Sequence, residues 1–123
     1  MFTKTVLLVE DDPDQRGLYS LMLRRGGWKV SEAVTGEQAW ELVDSVRPDA
    51  IVLDVMLPGR DGISVCRDLR ASPAFPHIPV LILTALDNLE TRRRALAAGA
   101  DAFAAKPISP AALNEHLNRL APG

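Results

Sequence analysis

Apolar residues along this chain come in short unbroken runs, separated by stretches in which they recur every three or four positions. The runs are Val6-Leu7-Leu8-Val9, Ala50-Ile51-Val52-Leu53 and the segment 79–83, with weaker ones at 29–33 and 102–105. A run of four or five such residues, bounded by polar or turn residues, predicts a strand buried on both faces. Between the runs the spacing predicts helices. Over 14–25 Leu18, Leu21 and Met22 share one face, and over 37–46 Ala39, Leu42, Val43 and Val46 do the same. A third helix covers about 62–70, a fourth starts near Asn88 and stops before Gly99, and a fifth carries Leu113, Leu117 and Leu120 at i, i+4 and i+7.

The punctuation fits this division. Asp12 and Ser109 are placed to cap the first and last helices, each followed by a proline at the first turn. Thr35 to Gln38 has capping-box spacing, and Asp87 to Glu90 has its acidic variant. Ala121-Pro122-Gly123 ends the last helix. Strands alternating with helices in this way predict an α/β fold, a doubly wound five-stranded parallel sheet with right-handed crossovers.

Length and composition narrow the picture. With 123 residues, 47% of them hydrophobic, the chain suits a single domain spanning 1–123. The 14 basic and 16 acidic residues leave a formal charge of -2 and form no basic stripe, so direct nucleic-acid binding is not expected. Met1-Phe2-Thr3-Lys4 leads straight into the first run, without the apolar length of a signal peptide or membrane span, and a soluble cytoplasmic protein is the expectation. The one cysteine, Cys66, lies among Val65 and Leu69 and reads as a packed thiol.

The chemistry gathers where the apolar runs stop. Glu10-Asp11-Asp12 follows the first run, Asp54 the third and Thr84-Ala85 the fourth, and Lys106 closes the fifth just before Pro107. In an open parallel sheet these carboxyl ends meet at one crevice. Carboxylates held close repel one another unless a cation intervenes, and hard oxygen ligands suit magnesium. An aspartate directly after Ile-Val-Leu costs several kcal/mol to bury unpaired, so Asp54 requires a cation or a lysine as partner. Thr84 and the Ala85 N–H together suit an anion. Pro107 restricts Lys106 to extended backbone and makes a cis bond an option.

With these residues in order, the chain resembles the receiver domain of two-component response regulators over essentially its whole length. The matching segments are V-E-D-D at 9–12, L-D-V-M-L-P-G-R-D-G at 53–62, L-T-A at 83–85, G-A-D-A-F at 99–103 and K-P at 106–107. The resemblance implies a CheY-like, flavodoxin-like (βα)5 fold with strand order 2-1-3-4-5. It implies that Asp54 accepts a phosphoryl group from a phosphohistidine of a sensor kinase or phosphotransfer protein. It also implies magnesium held by Asp11, Asp54 and the Met56 carbonyl, with Glu10 acting through water. Lys106, Thr84 and the Ala85 N–H would meet the phosphoryl oxygens, and Thr84 with Phe103 would switch the face of the fourth helix, fifth strand and fifth helix for an effector.

Departures bear on the output. Ala102 stands where DNA-binding relatives that dimerise through this face carry an acid, and the final helix reads Ala111-Ala112-Leu113-Asn114-Glu115-His116, which argues for a monomer or weak homodimer. Arg92-Arg93-Arg94 reads as a solvated helix face, and Trp40, Trp28, His77 and His116 as noncatalytic. A chain closing on its fifth helix has the length of a stand-alone receiver. Among rivals, a haloacid dehalogenase-type phosphatase needs a second aspartate where Met56 stands, and an FMN binder would meet repulsion from Glu10-Asp11-Asp12. A pseudo-receiver that binds partners without phosphate is the third, opposed by retention of the full acid, threonine and lysine set.

Overall fold

A computed structural model describes residues 3–75 and 77–122. Met1, Phe2 and Gly123, read above as the approach to the first strand and the end of the last helix, lie outside the described residues, as does Pro76. Five strands alternate with five helices: β1 (Thr5–Val9), α1 (Pro13–Arg25), β2 (Lys29–Ala33), α2 (Gly36–Val46), β3 (Ala50–Leu53), α3 (Gly62–Ala71), β4 (Val80–Thr84), α4 (Leu89–Ala97), β5 (Ala102–Ala105) and α5 (Pro110–Leu120). All strand pairs are parallel, in the order β2-β1-β3-β4-β5.

The unbroken apolar runs sort by parity. Leu7, Val9, Ile51, Leu53, Val80 and Ile82 face the layer built by α2, α3 and α4, whereas Val6, Leu8, Val52, Leu81 and Leu83 face α1 and α5. Side chains alternate across a strand, so a strand covered on both sides must be apolar at every position. Cys66 is fully buried in the first of these layers, its thiol directed at the Ala98 carbonyl, and burial pushes the thiol pKa up.

Two local expectations are corrected. In α1 the residues expected to face the core, Leu18 and Leu21, are about half exposed, and Tyr19 and Leu23 are buried instead, with Met22 packed beside them. Apolar residues at 18, 19, 21, 22 and 23 leave the helix free to rotate, and the larger wedge of Tyr19, Leu23 and Trp28 decides the rotation. In α4 the cap is Asn88, which accepts from Thr91 N–H at 2.8 Å; Asp87 pairs with Arg92 at 2.9 Å instead. Asn88 offers the same short acceptor one residue later, which sets the helix start. Asp12, Thr35 and Ser109 cap as expected.

Candidate functional site

Register brings the site together. Val9 pairs with Leu53, so the residues that follow, Glu10 and Asp54, leave the sheet side by side; Thr84 pairs with Ala105, and Lys106 follows. Hydrogen bonds carry the alignment past the strands, from Asp54 N–H to the Val9 carbonyl at 3.2 Å and from Lys106 N–H to the Thr84 carbonyl at 2.9 Å. The Lys106–Pro107 peptide bond is cis. A cleft of about 350 Å³ results, lined by Glu10, Asp11, Asp12, Gln15, Asp54, Met56, Ala85 and Lys106.

Its floor is ionic. Lys106 Nζ donates to Asp54 Oδ2 at 2.7 Å, to Gln15 Oε1 at 2.6 Å and to Glu10 Oε1. Glu10 and Asp54 are buried, at 3% and 6% exposure, while Asp11 is open to solvent. One oxygen from each of these three carboxylates lies within 4.8 Å of the others. That is a donor set of hard oxygens around a single point, and it fits a magnesium ion. Met56, 55% exposed, lines the cleft and donates its N–H to Asp54 Oδ1 at 3.1 Å.

Three acids against one ammonium leave an imbalance of charge in the cleft. Burial opposes charge on Glu10 and raises its pKa, although Lys106 pulls the other way. Burial also works to lower the pKa of Lys106, but its bonds to Asp54 and Glu10 prevail and raise it. The lysine has an acceptor for each of its three N–H groups. Asp12 has its pKa lowered by the Asp14 and Gln15 N–H groups that it caps.

Thr84 is fully buried, and its hydroxyl accepts from Leu86 N–H at 3.3 Å, whereas Ala85 next to it is exposed on the cleft. Phe103 is half-buried against the core, and the Arg92 guanidinium lies 4.7 Å from its ring centroid. Phe103 does not line the cleft. Gly62 approaches so closely that a Cβ there would lie 1.9 Å from the Asp54 carbonyl oxygen, which explains the glycine that starts α3. Arg92, Arg93 and Arg94 are all exposed, as is His77, and His116 is half-buried with no place in the acid cluster.

Two contributors were missed from sequence. Gln15 reaches Lys106 from α1, and Arg16 donates to the carbonyls of Glu10 and Asp11 at 3.0 and 3.3 Å, bracing the acidic turn. The signal was present as polar side chains one helical turn beyond an N-cap, but such residues are also what a solvated helix start looks like.

Residues 6–118 match the family model described as the response regulator receiver domain. The chain belongs to that family. The receiver domain is 43% identical over 115 residues to the response regulator MprA of Mycolicibacterium vanbaalenii, covering 94% of this chain and 48% of that protein. It thus spans about half the length of the curated relatives it matches. Among solved structures it is similar to the receiver domain of the sensor histidine kinase PA1611 from Pseudomonas aeruginosa, which has a magnesium ion coordinated in its active-site cleft. That likeness has a TM-score of 0.91 and 34% identity, and covers 99% of this chain and 100% of the other. The BeF3-activated N-terminal receiver domain of Klebsiella pneumoniae RstA is also similar, with a TM-score of 0.89, 33% identity, and coverage of 97% and 99%. The CheY-like fold and the strand order expected from sequence are therefore those of the receiver domain. Among its described residues no helix is long and apolar enough to cross a membrane.

Proposed function

We propose that Asp54 is the phosphoacceptor of this receiver domain, in a single unit spanning 1–123, and that Lys106, Thr84 and Ala85 receive the phosphoryl oxygens. The observation that carries this reading is the Lys106 ammonium bridging Asp54 and Glu10 within a cluster of three carboxylates. The donor is a phosphohistidine of a sensor histidine kinase or phosphotransfer protein. An Asp54 carboxylate oxygen forms a bond to phosphorus while the bond from phosphorus to the imidazole nitrogen breaks, and that nitrogen departs with the bonding pair. Because the transition state is loose, the protein's task is alignment and charge neutralisation on the equatorial oxygens. Asp11, Asp54 and the Met56 carbonyl, with Glu10 through water, are the groups that would hold magnesium, which supplies further neutralisation of that charge when bound.

Lys106 is already in reach of Asp54, so one of its N–H groups turns from the carboxylate to a phosphoryl oxygen with little movement. The exposed Ala85 backbone and the Thr84 hydroxyl serve another oxygen once Thr84 gives up its bond to Leu86 N–H. That loop movement is felt at Phe103 through the Asp87–Arg92 pair, whose guanidinium covers the ring. The face formed by α4, β5 and α5 thereby changes for an effector, with the chain acting in the cytoplasm as a monomer or weak homodimer, without direct contact to nucleic acid and without a turnover reaction beyond its own phosphorylation and dephosphorylation.

The test is intact mass after incubation with acetyl phosphate and Mg2+. One added phosphoryl group, absent without Mg2+ and absent in Asp54→Asn, is the expected result. Folded protein that takes up no phosphoryl group would instead identify a pseudo-receiver.

A further inference from the structure

Gln15 lines the cleft, yet the chemistry above gives it no role. It is the third residue of α1, and its carbonyl accepts from Lys106 Nζ at 2.6 Å. Its amide NH2 donates to Asp12 Oδ2 at 3.2 Å. A carboxylate only accepts, so Asp12 dictates which end of the amide faces the lysine. Asp12 is fixed in turn, since its Oδ1 caps α1 by accepting from the N–H groups of Asp14 at 2.9 Å and Gln15 at 3.4 Å. The start of the helix thus aims one neutral oxygen at the ammonium.

An ammonium has three N–H donors, and Lys106 directs its own at Asp54, Glu10 and Gln15. Two of these acceptors change during phosphoryl transfer, because Asp54 becomes an acyl phosphate and Glu10 serves the cation. Gln15 is neutral and takes part in neither change. We propose that Gln15 is a positioning residue that holds Lys106 Nζ in place while Asp54 is converted, leaving the N–H that pointed at Asp54 to meet the phosphoryl oxygen. This rests on the reading of Asp54 as phosphoacceptor. With acetyl phosphate as donor, an Asp54 oxygen bonds to phosphorus, the bond from phosphorus to the acetate oxygen breaks, and acetate leaves with the pair; Gln15 transfers no proton. A carboxylate at position 15 would hold the lysine as well, but it would add a fourth acid to a cluster already short of positive charge.

The experiment measures the rate of phosphorylation by acetyl phosphate with Mg2+, followed by intact mass, for Gln15→Met in both the native and the Lys106→Met backgrounds. Methionine matches the length, favours helix and offers no comparable acceptor. Gln15→Ala is measured alongside and carries the same expectation. The maximal rate is expected to fall about three- to tenfold, the worth of one typical intramolecular hydrogen bond, with half-saturation by acetyl phosphate and calorimetric Mg2+ affinity within about twofold of native. In the Lys106→Met background neither substitution should lower the rate further, because a residue acting only through the lysine has nothing left to position. An equal fall in both backgrounds would assign Gln15 to the helix cap and overturn the proposal. Native protein that is phosphorylated while both variants match its rate would overturn it too, leaving the reading of Asp54 intact. Native protein that takes no phosphoryl group would overturn that reading and this proposal with it.

Discussion

At the amino ends of β4 and β5, Arg70 donates to the Gly99 carbonyl at 2.9 Å, the Ile78 carbonyl at 2.7 Å and Asp101 at 2.5 Å, and Asp101 also accepts from Val80 N–H at 2.8 Å. At the carboxyl ends of the sheet, Lys106 serves Asp54, Glu10 and Gln15. Both are cations of low exposure with three acceptors. The difference is in the balance. Arg70 faces one carboxylate and two neutral carbonyls, so its cluster is complete without any ligand. Lys106 faces two buried carboxylates with a third close by, and that surplus of negative charge has a use only when a cation or a charge-bearing reaction arrives. Side-chain choice follows the same division: a guanidinium forks rigidly across fixed acceptors, whereas an ammonium on a flexible stem can follow a moving one.

The largest effect that tests this contrast comes from removing each cation. With Mg2+ present to offset the two buried carboxylates, Lys106→Met is expected to slow phosphorylation by acetyl phosphate about 100- to 1,000-fold, the cost of losing one charged donor at a developing anion, and to lose stability only when Mg2+ is removed. Arg70→Met should do the reverse. It leaves Asp101 with the Val80 N–H alone and two carbonyls without the guanidinium, and should lower stability by about 2–3 kcal/mol, with the folded fraction phosphorylated at the native rate. Urea unfolding and intact-mass kinetics on both variants separate the two outcomes, and a slow Arg70 variant would break the distinction.

Gly62→Ala comes next, because it joins stability to chemistry. Its Cβ would fall 1.9 Å from the Asp54 carbonyl oxygen and 3.2 Å from Leu53 Cγ, so the peptide of the proposed phosphoacceptor itself must shift. A loss of about 1–3 kcal/mol in stability is expected, together with slower phosphorylation, measured by the same two assays. The corresponding glycine of the other cluster, Gly99, has φ of +100° and a Cβ there would meet Arg70 Cγ at 2.6 Å, so Gly99→Ala should cost stability alone.

How much of this was legible in the sequence differs between the two ends. Glu10, Asp54, Thr84 and Lys106 could be placed because each interrupts or closes an apolar run, and parallel strands must deliver such residues to one edge. Arg70, Asp101 and Gln15 could not. Arg70 lies at the end of an amphipathic helix, where a basic residue needs no explanation beyond the helix dipole, and its partners come from loops whose path the residue pattern does not encode. The rotation of α1 was hidden for a related reason, since five apolar residues within 18–23 satisfy more than one face. Asp87 and Asn88 are both good caps, and only the Arg92 pair separates their duties.

A smaller effect probes the charge surplus directly. Glu10→Gln removes one of the repelling acids and should raise the melting temperature of the metal-free protein by about 3–6 °C, the shift that about 1 kcal/mol makes in a domain of this size. The same substitution should weaken Mg2+ binding in calorimetry, so the variant gains less than native protein when Mg2+ is added. A variant less stable than native without metal would mean that Glu10 is a settled partner of Lys106 rather than part of a surplus.

The smallest effect is the pH dependence of stability, and its sign follows from the two raised pKa values at this end of the sheet. Above its ordinary value of 4.5, Glu10 keeps a proton in the folded protein that the unfolded chain has already released. Above 10.5, Lys106 does the same. In both windows the folded state binds more protons than the unfolded one, so stability falls as pH rises through each folded pKa. With metal chelated, the melting temperature should therefore decline from about pH 4.5 upward through Glu10, and again above about 10.5 through Lys106, apart from what other groups add. Glu10→Gln should flatten the first decline and Lys106→Met the second. Arg70→Met sets the reference and should leave both declines in place. If Arg70→Met, rather than Lys106→Met, removed the alkaline decline, then the titrating cluster would lie at the amino end of the sheet and the contrast between the two cations would be reversed.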